Sequence, residues 1–333
     1  MQKAIIFGCA GLVLTKEEKK FFSTTNPWGF ILFGRNIKNP TQLKLLTDSL
    51  QDVVGRNVPI LIDQEGGRVE RLSKPYWRTW MPPLEQMHLV PEALSMRAMW
   101  LRYRIIGEEL KNVGIIVNCA PIGDLANSLT HKVLLNRCYG DIPKIVIQAA
   151  KACANGLMDS GVLPVLKHIP GHGRADVDSH LELPKVKTSL KELSVSDFSI
   201  FKSLNDIPLG MTAHVLFEKI DKTFPATQSK VIIEIIRKQI GFRGLLMTDD
   251  LSMKALNGTL EEKVVKSLDA GCDLVLHCNG EMPEMIEIAN TCSSISADKE
   301  NLLEDVLSKR KTGSSIDIQM LINEYHTIIK NVN

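Results

Sequence analysis

Apolar and polar positions fall in blocks along this chain rather than alternating residue by residue. Eight short runs recur from end to end: AIIFGCAG (4–11), GFILFGR (29–35), VPILIDQE (58–65), GIIVNCAP (114–121), VLPVLKH (162–168), PLGMTAHV (208–215), GLLMTDD (244–250) and CDLVLHC (272–278). They are rich in Ile, Leu and Val without period-two alternation, which is how parallel strands covered on both faces read. A single run of this kind fits a buried helix equally well, so the regular recurrence is the signal. Between the runs lie helix-like segments at 39–55, 95–114, 142–161, 189–205, 229–241 and 260–271, with further ones near 281–295, 298–310 and 316–331. The first has Pro40 near its start and Gly55 at its end, the asymmetry of a capped helix. Strand and helix alternating eight times predict an α/β fold, a single-domain (β/α)8 barrel of the TIM type over residues 1–333, with a helical tail at about 281–333. An open doubly wound sheet is the rival. No GxGxxG follows the first run, which weakens the dinucleotide-binding form of that rival.

Composition narrows the class. Hydrophobic residues make up 44% of the 333 positions, charged residues 23%, and the formal net charge is +2. That is a globular profile, with no basic block for nucleic acid or an anionic membrane. Seven cysteines, an odd number without a CxxC, sit mostly in apolar runs and read as free buried thiols of a reducing compartment. Gly8-Cys9 has the look of a lipoprotein cleavage site, but the residues before it are too few for a signal peptide, and an inner strand explains the run better. No run approaches the length of a membrane span. A cytoplasmic protein is expected.

In a barrel, chemistry sits at the C-terminal ends of the strands. Those ends carry Asp63 and Glu65, Asp124, Lys167 and His168, His214, Asp249 and Asp250, and His277. The densest stretch is VLPVLKHIPGHGRADVDSHLELP (162–184). As a metal site it is poor: Pro170, Gly171 and Gly173 forbid the helix that would align His168 with His172, and no HExxH or HxH is present. As a phosphate cradle it lacks GxxxxGK[ST], and Pro170 removes a donor. Acid/base work remains. Asp178 and His180, two apart in a loop, form a carboxylate–imidazole pair, although the same pair could serve order alone. Asp249, the first carboxylate past a buried strand, is placed to attack an acetal carbon, with Asp250 or Ser252 left to cap the next helix.

Taken together, WGFILFGRNI (28–37), LIDQEGGRVERL (61–72), NCAPIGDL (118–125), KHIPGHGRADVDSH (167–180), MTAHV (211–215) and TDDLSM (248–253) closely resemble the bacterial β-N-acetylglucosaminidases of glycoside hydrolase family 3. The resemblance implies a retaining mechanism with no metal or cofactor. It makes Asp249 the nucleophile, His180 the proton donor and acceptor, and Asp178 the group that orients His180. It carries over Asp63, Arg71, Arg137, Lys167 and His168 as sugar-binding residues, with His172 bracing its loop and His214 behind the pocket. It implies a monomer that removes N-acetylglucosamine from 1,6-anhydro-N-acetylmuramoyl peptides during peptidoglycan recycling. NRCYG around Arg137 departs slightly from the aromatic-containing forms of the family. KPYWRTWMPP (74–83) reads equally as an aglycone rim or a packed loop. A sibling exo-β-glucosidase or xylosidase and a non-catalytic muropeptide-binding protein are the alternatives. The former usually takes its acid from a second domain, and the latter predicts a damaged set of Asp178, His180 and Asp249. Phosphorolysis also stays open, because a neutral imidazole does not repel an anionic acceptor.

Overall fold

The computed structural model describes the chain except Met1, Leu129, Asp176, His180 and residues 311–315 and 331–333, with the backbone alone at Ala297 and Asp298. Eight parallel strands close into a barrel: β1 (Lys3–Phe7), β2 (Pro27–Leu32), β3 (Ile60–Ile62), β4 (Val117–Asn118), β5 (Leu163–Ile169), β6 (Leu209–Thr212), β7 (Leu245–Asp250) and β8 (Leu274–His277). Each pairs with its sequence neighbours, and β8 closes on β1 with Phe7 opposite His277. Every position of β2 and β5 is buried. That is why the runs lack alternation: the barrel interior covers one face and the helices cover the other. A separate two-stranded parallel ladder pairs Lys185–Val186 with Leu216–Phe217.

The helices follow as α1 (Lys16–Thr25), α2 (Pro40–Val54), α3 (Glu92–Asn112), α4 (Pro143–Ser160), α5 (Asp197–Ser203), α6 (Lys230–Glu234), α7 (Leu260–Ala270) and α8 (Met282–Thr291), with α9 (Ala297–Ser308) and α10 (Ile318–Lys330) beyond the eighth unit. Their ends obey the capping signals. The Asn39 side chain accepts the Gln42 N–H at 2.9 Å, and Gly55 closes α2 at φ 66. Two predicted helices differ in detail. The segment 189–205 is broken at Ser196, where α5 begins afresh because buried Asp197 turns in to bind Arg174 at 2.7 Å. The segment 229–241 widens into a π turn over Ile235–Ile240. Helix α1 is absent from the sequence reading. Its only strong apolar residues, Phe21 and Phe22, are adjacent and draw no helical stripe; a capping box of Thr15 with Glu18 starts it instead.

Candidate active site

The strand ends surround a cleft of about 250 Å³. From β3 the chain enters a loop that begins Asp63-Gln64-Glu65, and Lys167 near the end of β5 reaches across to it. The Lys167 ammonium donates to Asp63 Oδ1 at 2.9 Å and lies 2.6 Å from Glu65 Oε1. Arg137, from the loop after β4, binds Glu65 in bidentate fashion, Nε to Oε2 at 2.9 Å and Nη2 to Oε1 at 2.8 Å. Burial opposes ionisation throughout this cluster, but opposite charge wins. Arg137 and Lys167 hold the Glu65 carboxyl far below its ordinary range, and Lys167 with Arg71 lowers Asp63. Arg71 is held less firmly, 3.5 Å from Asp63 Oδ2 and over the Phe33 ring at 5.4 Å.

His168 stands beside this cluster. Its Nδ1 lies 2.7 Å from Asp124 Oδ2, and the other Asp124 oxygen accepts the backbone N–H groups of His168 at 3.3 Å and His172 at 2.7 Å. Asp124 therefore orients the His168 ring and fixes the start of the 169–180 loop. His172 lines the cleft 5.5 Å from the His168 ring, and burial followed by His168 lowers its pKa to about 4, so it is neutral at neutral pH.

On the opposite wall, the end of β7 delivers Asp249 to the cleft. One of its oxygens accepts the Asp250 N–H at 2.8 Å. Burial would protonate Asp249, but the facing His214 and His168 keep it below the ordinary carboxylate value. Asp250 has structural duties: it takes the Ser252 hydroxyl at 2.6 Å and the Cys278 N–H at 3.2 Å, tying β7 to β8. Asp178 also lines the cleft. The chain is anchored beside it by the Ser179 carbonyl, which accepts the Ala255 N–H at 3.2 Å. His180 lies outside the described residues. Among the described residues, no three His, Cys, Asp or Glu side chains are grouped to hold a metal ion.

The structure thus brings Asp63, Arg71, Arg137, Lys167, His168, Asp178 and Asp249 to one cleft. Four strand-end residues read from sequence do not line it: Glu65 and Asp124, fully buried and bound to Lys167 and His168, and the two histidines His214 and His277. His214 is fully buried behind the wall, with Nδ1 at 2.7 Å from Thr227 Oγ1 and Nε2 at 3.1 Å from the Asp250 carbonyl. His277 points outward from the barrel, against Phe7 and 3.3 Å from Glu284. The 74–83 stretch is a packed loop: Trp77 and Trp80 are buried, and neither lines the cleft. Sequence reasoning left Glu65 out of the binding set, although its place two residues past Asp63 was a usable signal. It missed Phe33, Arg68, His131 and Met211 as cleft walls, and nothing in their local sequence marks them.

With this geometry in place, residues 10–309 match the family described as Glycosyl hydrolase family 3 N terminal domain. The chain belongs to glycosyl hydrolase family 3. Among its family 3 relatives, a beta-hexosaminidase of Alkalilimnicola ehrlichii is 34% identical over 285 residues, covering 83% of this chain and 80% of the relative. One from Nitrosomonas eutropha is 32% identical over 282 residues, with the same shares covered. Native NagZ from Neisseria gonorrhoeae superimposes with a TM-score of 0.86 at 28% identity, over 99% of this chain and 97% of that one. A family 3 β-N-acetylglucosaminidase from a Paenibacillus species gives the same TM-score at 26% identity, and this chain spans 66% of its length. The protein is a glycoside hydrolase built on the family 3 barrel.

Proposed function

We propose that this glycoside hydrolase is a β-N-acetylhexosaminidase that releases terminal β-linked N-acetylglucosamine from anhydro-muropeptides of the cell wall, with retention of configuration. The observation that carries the reading is the Asp249 carboxylate, ionised in the cleft with a single backbone hydrogen bond among the described residues, so that lone pairs stay free for attack. In the first displacement a carboxylate oxygen of Asp249 bonds to the anomeric carbon. The glycosidic C–O bond breaks, and protonated His180 gives its proton to the departing oxygen. In the second, neutral His180 takes a proton from water, whose oxygen displaces Asp249 and frees the sugar. Asp178 orients His180, and its place in the cleft lining supports that role.

Asp63, Arg71, Arg137, Lys167 and His168 orient the terminal sugar. Asp63 accepts from hydroxyls, while the cations donate. The chain, 1–333, acts as one monomeric catalytic unit. We place it in the cytoplasm, on wall fragments being recycled. All seven cysteines are free thiols, six of them buried, which fits a reducing compartment. No helix among the described residues is long and apolar enough to cross a membrane.

The test is release of p-nitrophenol from the β-N-acetylglucosaminide beside the β-glucoside, together with hydrolysis of a GlcNAc-anhydro-muropeptide. The N-acetyl substrates should be turned over in preference, with β-N-acetylglucosamine formed first. Asp249→Ala should lose at least about a thousandfold in kcat, with His180→Ala also strongly impaired. Preference for the glucoside would overturn the substrate, and an α-anomer as first product would overturn the mechanism.

A further inference from the structure

Glu65 aims both Lys167 and Arg137, so any group that fixes Glu65 fixes the sugar site. Its backbone is held from beneath. The Glu65 carbonyl accepts Arg102 Nη2 at 2.5 Å and the Tyr103 hydroxyl at 3.3 Å, both from α3. The same Arg102 nitrogen donates to the Met81 carbonyl at 2.8 Å, so one buried guanidinium stitches the two ends of the loop between Glu65 and Met81. Among the described residues no carboxylate lies within ion-pair distance of Arg102. Its other terminal nitrogen donates to Gln86 Oε1 at 2.8 Å. That amide oxygen takes a second hydrogen bond, also 2.8 Å, from the Tyr325 hydroxyl of α10. The Tyr325 ring stands edge-on to Trp80 of the same loop at 5.1 Å, and Arg97 of α3 clasps Glu324 of α10 through two 2.7 Å contacts.

Gly66 supplies an independent sign that this approach is built in. At φ +101, a Cβ there would lie 2.0 Å from Arg102 Nη2. Only glycine lets the guanidinium close on the loop in this conformation.

We propose that the C-terminal helix is a strut for the sugar site: Tyr325, through Gln86 and Arg102, fixes the Glu65 backbone and so the aim of Lys167 and Arg137. The proposal rests on reading those two cations as sugar-binding. Tyr325 and Arg102 are then positioning residues. Their removal weakens a contact made equally in ground and transition states, which raises KM and leaves kcat nearly unchanged.

The experiment measures KM and kcat on the p-nitrophenyl N-acetylglucosaminide, and Kd for N-acetylglucosamine, with thermal unfolding on the same samples. Tyr325→Phe keeps the ring against Trp80 and should raise KM about two- to fivefold, the scale of one neutral hydrogen bond. Arg102→Met should raise it about tenfold or more, as loss of charge-assisted donors requires. Each change is repeated in a Glu65→Gln background, where both effects should shrink toward nothing, the signature of action through Glu65. Effects of equal size in the two backgrounds would make α10 a merely structural element, as would activity falling only with the folded fraction. An unchanged KM in Tyr325→Phe with an active wild type overturns the strut. A wild type that neither binds nor turns over N-acetylglucosaminides overturns the sugar reading instead. If Arg102→Met does not fold, Tyr325→Phe decides alone.

Discussion

The two walls of the cleft follow opposite electrostatic plans. On the β3–β5 side, Asp63, Glu65, Arg137 and Lys167 form one buried network in which each charge meets an opposite charge within 2.6–2.9 Å. On the β6–β8 side, Asp249 has one backbone N–H and, among the described residues, no partner within ion-pair distance; His214 and His168 act on it only from beyond that distance. The difference follows from the work each wall does. A binding wall must hold directions, and charges paired between strand ends and their loops do so with little freedom left in the side chains. A nucleophile must keep its lone pairs, so it is left underbonded, its charge held by one backbone N–H and by groups beyond ion-pair distance that together outweigh burial.

The sharpest way to break this contrast is to neutralise one carboxylate on each wall without changing its shape. Glu65→Gln leaves Lys167 and Arg137 short of countercharge in a buried site, which costs about 3–5 kcal/mol when one partner of such a network is lost. Tm and the denaturant midpoint should drop together. Asp249→Asn removes a charge with no partner within ion-pair distance among the described residues, so Tm should fall much less than in Glu65→Gln while turnover collapses. Equal destabilisation by the two changes would show that the walls do not differ as described.

Acidification next separates the paired charges of the binding wall from the neutral His172 imidazole beside them. On the paired wall, Asp63 and Glu65 sit below their ordinary values of 3.8 and 4.5, so their contribution is complete above those values and is lost as pH falls through the depressed ones. Lys167 lies above its ordinary 10.5; its contribution is complete below that value and is lost only as pH rises past it. The network is therefore at full strength from about pH 5 to about pH 10. His172 behaves differently. Its value is depressed from 6.5 to about 4, so stability is whole above 6.5 and declines as pH falls from there toward 4. One such group contributes a slope of at most about 1.4 kcal/mol per pH unit. Urea unfolding between pH 7 and pH 4.5 should show that slope in the wild type and a flatter one in His172→Gln. An unchanged slope would assign the decline to other groups.

The barrel was legible because its strands are buried on both faces and its helices carry Pro, Asn and Gly at their ends. The same property hid part of the site. A continuous apolar run gives no alternation to mark which residue faces inward. His277 therefore reads like Lys167 as a polar strand-end residue, yet it lies outside the barrel, while His214 sits behind the wall where the resemblance put it. Glu65 was visible at its strand end, but its partner Arg137 is 72 residues away, and only barrel closure brings them together. Short-range sequence patterns report local periodicity and caps, and they are silent on pairings of that span. The Asp124–His168 bond, between residues 44 apart, was hidden for the same reason.

The smallest expected effect concerns Arg71, whose ionic contact is the longest among the proposed sugar-binding cations. Arg71 is 3.5 Å from Asp63, its Nε is buried without a hydrogen bond, and its guanidinium lies over the Phe33 ring at 5.4 Å. Arg35 approaches the same ring at 4.9 Å. Phe33 thus supplies much of the force that directs Arg71 into the cleft. A cation–π contact at a half-exposed site is worth about 0.5–1 kcal/mol, so Phe33→Leu should raise KM about two- to fivefold, with kcat and Tm little changed. Phe33→Tyr, which keeps the aromatic face, should restore the wild-type KM. If leucine serves as well as phenylalanine, the Asp63 contact alone orients Arg71, and the binding wall relies on ion pairs throughout.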